Sequence, residues 1–141
     1  MSTSPADFNA RVIEEFRANR GRVGAPFKDT PLLLLHHTGA RSGKERVNPL
    51  AYLRDGERYV VFASKAGAPT NPDWYHNLKA HPRVSIEVGT ETVEVVASEA
   101  ESEERERLFS AQTARSPQFI EYQKKTDRPI PAIILTPSQP S

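Results

Sequence analysis

Apolar side chains recur at every fourth position near the start of the chain: Phe8, Val12 and Phe16 follow Ser4-Pro5 as one stripe. That period predicts an α-helix of about 15 residues within an N-terminal segment 1–22, with Arg11, Arg17, Arg20 and Arg22 off the stripe. The same start recurs twice. Asn71-Pro72 precedes Trp74, Tyr75 and Leu78, and Ser116-Pro117 precedes Phe119 and Tyr122. Each places a side-chain acceptor before Pro at the expected first helical position, where a missing N–H costs nothing. Pro82 ends the second of these helices. A further helix is expected over 101–112, where Glu-rich sequence surrounds Leu108 and Phe109.

The intervening pattern is that of strands. Leu32–Thr38 is a short continuous apolar run after Pro31. Segments 46–54 and 57–63 flank Asp55-Gly56, a two-residue hairpin signal, and 83–88 and 92–97 alternate around Gly89-Thr90. Residues 130–136 supply the last strand, and 137–141 form a frayed end. Six strands with few, short helices between them do not make a doubly wound parallel sheet. They predict a mainly β domain spanning 1–141, a small six-stranded antiparallel barrel with helical insertions.

Composition removes several function classes. The 141 residues contain no Cys, which excludes disulfides, thiolate metal sites and cysteine nucleophiles. Nineteen Lys+Arg against 18 Asp+Glu give a net charge of +1, so charge offers no argument for a nucleic-acid partner. No apolar run exceeds five residues, and Leu32 to Leu35 is four, far short of a membrane-spanning helix, and no secretory signal is evident. Charge is nevertheless uneven. Residues 36–83 hold eight Lys/Arg against four acids, which suggests an anionic small-molecule group.

The segment His37-Thr38-Gly39-Ala40-Arg41-Ser42-Gly43-Lys44-Glu45-Arg46 concentrates that charge in a turn between two strands. Glycines let backbone N–H groups approach an anion, and Arg grips phosphate oxygens in pairs. The spacing is not that of a Walker loop, and a strand follows instead of a helix. An ordinary hairpin loop with solvated charges is the competing reading. His36 and His37 are adjacent on a strand and point to opposite faces, so they cannot chelate one metal together, and no metal site is expected. Ser42 and Ser64 lack a nucleophile-elbow context.

Five co-linear blocks carry a family resemblance: His37–Gly43, Arg46–Leu50, Ala63–Ala68, Asn71–Leu78 and Thr126–Pro131. Together they resemble the deazaflavin-dependent nitroreductase family, split β-barrels of the FMN-binding split-barrel type that use coenzyme F420, an 8-hydroxy-5-deazaflavin. The resemblance implies that Arg41, Ser42, Gly43 and Arg46 grip the cofactor's phosphate and polyglutamate tail. It implies that Val47, Asn48 and Pro49 lie beside the deazaflavin ring, and that Ala63, Ser64 and Lys65 meet its polar edge through N–H groups and the Lys65 side chain. Trp74 and Asn77 would wall and hydrogen-bond the cofactor, with core packing the alternative for Trp74. Independently, Pro49 within a strand pattern demands an edge or a bulge.

The activity implied is an F420H2-dependent reductase, passing hydride to an electron-poor small molecule such as a quinone, an enone or a nitroaromatic. Such an acceptor needs a donor on its oxygen as the hydride arrives, and Ser64 and Tyr122 are the catalytic candidates. Phe119 offers no proton where nitro-reducing relatives often carry tyrosine. An FMN-binding split-barrel oxidoreductase and a non-catalytic module for a cofactor or a fatty acid are the alternatives. The expected setting is cytoplasmic, with no obligate protein partner. The stripe of residues 5–22 either docks weakly on anionic lipid at the inner membrane face or packs on the barrel.

Overall fold

A computed structural model describes residues 5–23, 31–64, 67 and 70–138. Ser4, the Phe8 side chain and residues 139–141 of the expected frayed end lie outside the described residues. The elements run α1 (Pro5–Ala18), β1 (Leu32–Thr38), β2 (Glu45–Ala51), β3 (Leu53–Asp55), β4 (Arg58–Phe62), α2 (Asp73–Ala80), β5 (Arg83–Val88), β6 (Glu91–Glu99), α3 (Ser102–Arg115), α4 (Gln118–Lys124) and β7 (Ala132–Pro137).

Seven strands, not six, form one antiparallel sheet in the order β2-β1-β5-β6-β7-β4-β3. The added strand comes from a break at Tyr52 in the segment read as one strand over 46–54. Its first part pairs with β1 and its second with β4, so the two parts occupy opposite edges of the sheet. Only one residue joins those edges. Since two residue steps span no more than about 7 Å, the sheet has to curl until its edges nearly meet. The result is the split-barrel type of fold expected from the resemblance. Pro49 sits in the edge strand β2, where its missing N–H leaves no central ladder broken.

The helix starts differ from the sequence expectation. α2 and α4 are preceded by Pro72 and Pro117 as cap residues, neither helix having a side-chain cap hydrogen bond. Asn71 is not a cap, because its Oδ1 accepts instead from Arg128 Nη1 at 2.7 Å. Ser116 contributes its carbonyl to the Phe119 N–H at 3.1 Å. Tertiary and backbone partners have taken over groups that local pattern assigned to capping.

β1 explains why its sequence is a continuous apolar run. Leu33 and Leu35 point into the main core with Val61, Trp74, Ile86 and Leu135, whereas Leu32 and Leu34 point outward against Val12, Phe16 and Val23. Both faces of the strand are therefore covered. Phe16 retains 1% of its exposure and Val12 5%, so the described part of the α1 stripe is spent on the sheet. Arg17 of α1 adds an ion pair to Glu87 at 2.7 Å, and Glu87 also meets His36 at 2.5 Å. A second core lies beneath α3 and α4, built on Phe62, Leu108, Phe119 and Ile134.

Candidate functional site

The turn between β1 and β2 is closed by three short bonds. The Gly39 N–H donates to the Lys44 carbonyl at 2.9 Å, Gly43 N–H to the Gly39 carbonyl at 3.0 Å, and Lys44 N–H to Ser42 Oγ at 3.2 Å. A Cβ at Gly39 would stand 2.4 Å from Ser42 Oγ, so a larger residue there would have to turn that hydroxyl away from the Lys44 N–H. The tight turn leaves the basic side chains outside it. Arg41 is exposed and has no partner among the described residues, and Arg46 is half-exposed with the Asp73 carboxylate at 3.8 Å. A cleft of about 510 Å³ opens here, lined by Gly39 to Ser42, Arg46, Asp73, His76 and Asn77. The structure thus brings Arg41, Ser42 and Arg46 to one cavity, with Gly43 completing the turn behind them.

Beneath the turn is a buried polar chain. Ala40 N–H donates to Asn77 Oδ1 at 2.8 Å, Asn77 Nδ2 lies 2.9 Å from His37 Nδ1, and His37 Nε2 lies 2.6 Å from Asn48 Oδ1. His37 is 2% exposed and Asn77 5%. Burial pushes the His37 pKa down. The Asn48 hydrogen bond opposes that shift, Arg46 adds to it, Asp73 opposes it and His36 adds to it. Asn48 and Asn77, read from sequence as cofactor contacts, are here bonded to the protein itself. Of their neighbours, Val47 packs toward α1 and Trp74 is enclosed in the main core.

The loop after β4 is held from a distance. Arg128 Nη1 donates to the Ala63 carbonyl at 3.1 Å and to Asn71 Oδ1 at 2.7 Å, and Nη2 donates to the Ser64 carbonyl at 3.0 Å and the Thr70 carbonyl at 3.1 Å. One guanidinium therefore clips both ends of the loop together. Sequence reasoning assigned Arg128 no role, although it stands in the last of the matching blocks. Gly67, with φ +84°, brings the loop so close to α4 that a Cβ would lie 2.6 Å from the Tyr122 carbonyl. Lys65 lies outside the described residues.

The Ala63 and Ser64 N–H groups, which the resemblance implies meet the ring's polar edge, have partners within the fold. Ala63 N–H donates to the Pro131 carbonyl at 2.9 Å and Ser64 N–H to the Phe62 carbonyl at 2.8 Å. Both donors close the fold and leave the Ser64 hydroxyl as this segment's free group, without a hydrogen-bond partner among the described residues. Tyr122 is half-buried with its ring 5.2 Å from that of Phe119, and its hydroxyl likewise has no partner among the described residues. Phe119, which has no proton to offer an acceptor, is 9% exposed and packs edge-on to Phe62 at 5.9 Å, inside the second core.

The sequence model of a family described as F420H(2)-dependent quinone reductase matches residues 10–137. An F420H(2)-dependent quinone reductase of Mycobacterium tuberculosis strain H37Rv is 40% identical over 125 residues, 86% of this chain and 84% of the relative. Among solved structures, an F420-H2 dependent reductase (FDR-A) is 42% identical with a TM-score of 0.69, over 74% of this chain and 93% of that one. A chain described as a domain-swapped dimer is 40% identical with a TM-score of 0.71, over 94% and 99% respectively.

Proposed function

The chain belongs to the F420H(2)-dependent quinone reductase family, and we propose that its Gly39–Arg46 segment holds the phosphate-bearing tail of F420 while Ser64 and Tyr122 face the acceptor. It is an F420H2-dependent oxidoreductase, with reduced F420 as its cofactor. Bound there, reduced F420 supplies the hydride. The observation that carries the placement is the cleft beside an exposed Arg41 and Arg46. The donor set fits an anionic tail: two guanidiniums, a hydroxyl and a turn whose tightness brings backbone close to a ligand. A quinone is the acceptor class that fits the family.

The protein's own share of the work is to bind, to orient and to stabilise charge on the acceptor oxygen. Arg41 and Arg46 would hold the tail and thereby restrict how the cofactor can be oriented. Asp73 beside Arg46 keeps that side chain near the cleft before an anion replaces the carboxylate as its partner. Ser64 precedes and Tyr122 follows the close approach of Gly67 to α4, and both carry hydroxyls. Each can donate to an oxygen that gains charge. α1 belongs to this reading as part of the fold, because lipid docking through its stripe would have to pull Val12 and Phe16 out of a buried cluster. No helix among the described residues is long and apolar enough to cross a membrane.

Fluorescence titration with F420 and with FMN, followed by F420H2 oxidation with menadione, tests the assignment. Preference for FMN, or tight F420 binding without turnover, would refute it. Arg41→Ala and Arg46→Ala should each weaken F420 binding by roughly 1–3 kcal/mol, the range for charge-assisted hydrogen bonds, with the smaller loss at high salt. Unchanged dissociation constants at low salt would remove the tail from this turn. Tyr122→Phe should lower quinone turnover while cofactor affinity and the thermal melt stay near wild type. Turnover equal to wild type would take Tyr122 out of the reaction.

A further inference from the structure

The buried chain beneath the turn has a direction that its chemistry dictates. Ala40 offers a backbone N–H, so the Asn77 atom facing it at 2.8 Å has to be the carboxamide oxygen. The other end of that carboxamide is then an NH2 group, and it points at His37 Nδ1 at 2.9 Å. An NH2 group can only donate, which leaves Nδ1 as an unprotonated acceptor. The single ring proton of neutral His37 therefore sits on Nε2, where Asn48 Oδ1 accepts it at 2.6 Å. Three groups from β1, β2 and α2 thus converge on one backbone amide of the turn, 37 residues from Asn77 in the chain.

We propose that His37 is a positioning residue for the anion-binding turn: its neutral ring, accepting at Nδ1 and donating at Nε2, holds Asn77 with its oxygen on the Ala40 N–H and so sets the turn in its binding shape. The proposal rests on the assignment of the cofactor tail to this turn only for the identity of the anion. A protonated His37 would present a donor at Nδ1 and repel the Asn77 NH2, freeing the carboxamide to rotate and the Ala40 N–H to lose its acceptor. Burial disfavours that charge most, the Asn48 hydrogen bond favours it, Arg46 from β2 disfavours it, Asp73 from α2 favours it, and His36 beside it on β1 disfavours it. The net effect lowers the His37 pKa from the ordinary histidine value and so favours the neutral ring. On acidification, the turn should loosen only once the solution falls through that depressed value.

Two substitutions separate this role from a merely structural one. His37→Asn places an amide oxygen near the Nδ1 position and can still accept from Asn77, whereas His37→Gln reaches the Nε2 position and keeps Asn48 instead. In the cofactor-free protein, His37→Gln should speed hydrogen exchange of the Ala40 amide by about tenfold or more, the loss of one local hydrogen bond, and His37→Asn should recover most of the protection. F420 affinity, read by fluorescence, should follow the same order. Equal Ala40 exchange in wild type and His37→Gln would overturn the proposal. Faster exchange with unaltered F420 affinity would uphold the relay and overturn the placement of the tail. Should His37→Gln fail to fold, the wild-type ring tautomer read by nitrogen-15 NMR decides, since an Nδ1–H form at neutral pH is incompatible with the relay.

Discussion

Arg128→Met is expected to cost roughly 2–4 kcal/mol of stability and most of the turnover, because the carbonyls of Ala63, Ser64 and Thr70 and the Asn71 side chain lose one shared donor. Several part-buried acceptors left without a partner cost more than the bond count alone suggests. The two effects have one origin, since the loop that carries Ser64 is closed by this guanidinium and by Gly67 against α4. Arg128→Lys should recover only part of either quantity. An ammonium is a point donor and cannot span both ends of the loop as a planar fork does. Chemical denaturation alongside steady-state oxidation of F420H2 checks both. A Met variant with wild-type midpoint and wild-type turnover would show that the loop holds its shape without the clip.

Phe16→Ala should be the most damaging change in α1, lowering stability by about 3–5 kcal/mol, the usual cost of emptying a buried aromatic site. For a chain of this size that is a drop in melting temperature of roughly 10–15 °C. The ring is 1% exposed and seated among Val12, Val23, Leu32 and Leu34, so the sheet can fill the gap only by moving β1. Because β1 also carries His37 and leads into the Gly39 turn, F420 affinity should fall with stability. The opposite combination, an unchanged melt with reduced co-sedimentation on anionic vesicles, would return the stripe to the lipid reading. Differential scanning calorimetry and vesicle binding on the same preparations distinguish the two.

What the sequence determined by itself was whatever depends on near neighbours along the chain. A four-residue apolar period made α1 visible, Asp55-Gly56 and Gly89-Thr90 placed the hairpins, and Pro49 announced an edge strand. The co-linear blocks carried the family and its cofactor, and the cluster of Arg41, Ser42 and Arg46 around one cleft was legible because those residues lie within six consecutive positions of the chain. Tertiary structure alone decided the rest. The break at Tyr52 follows from the two edges of a curled sheet meeting, and nothing local to 46–54 demands it. Asn71 lost its capping role to an arginine 57 residues away, and Asn77, in the wall of the cleft, bonds to Ala40 and His37, about 40 positions earlier in the chain. Strand alternation did put His37 on the inward face with Leu33 and Leu35, but a polar group there is tolerable only if partners reach it. Which partners reach it is set by how α2 and β2 come together in space, a property of the folded barrel that no window of sequence contains.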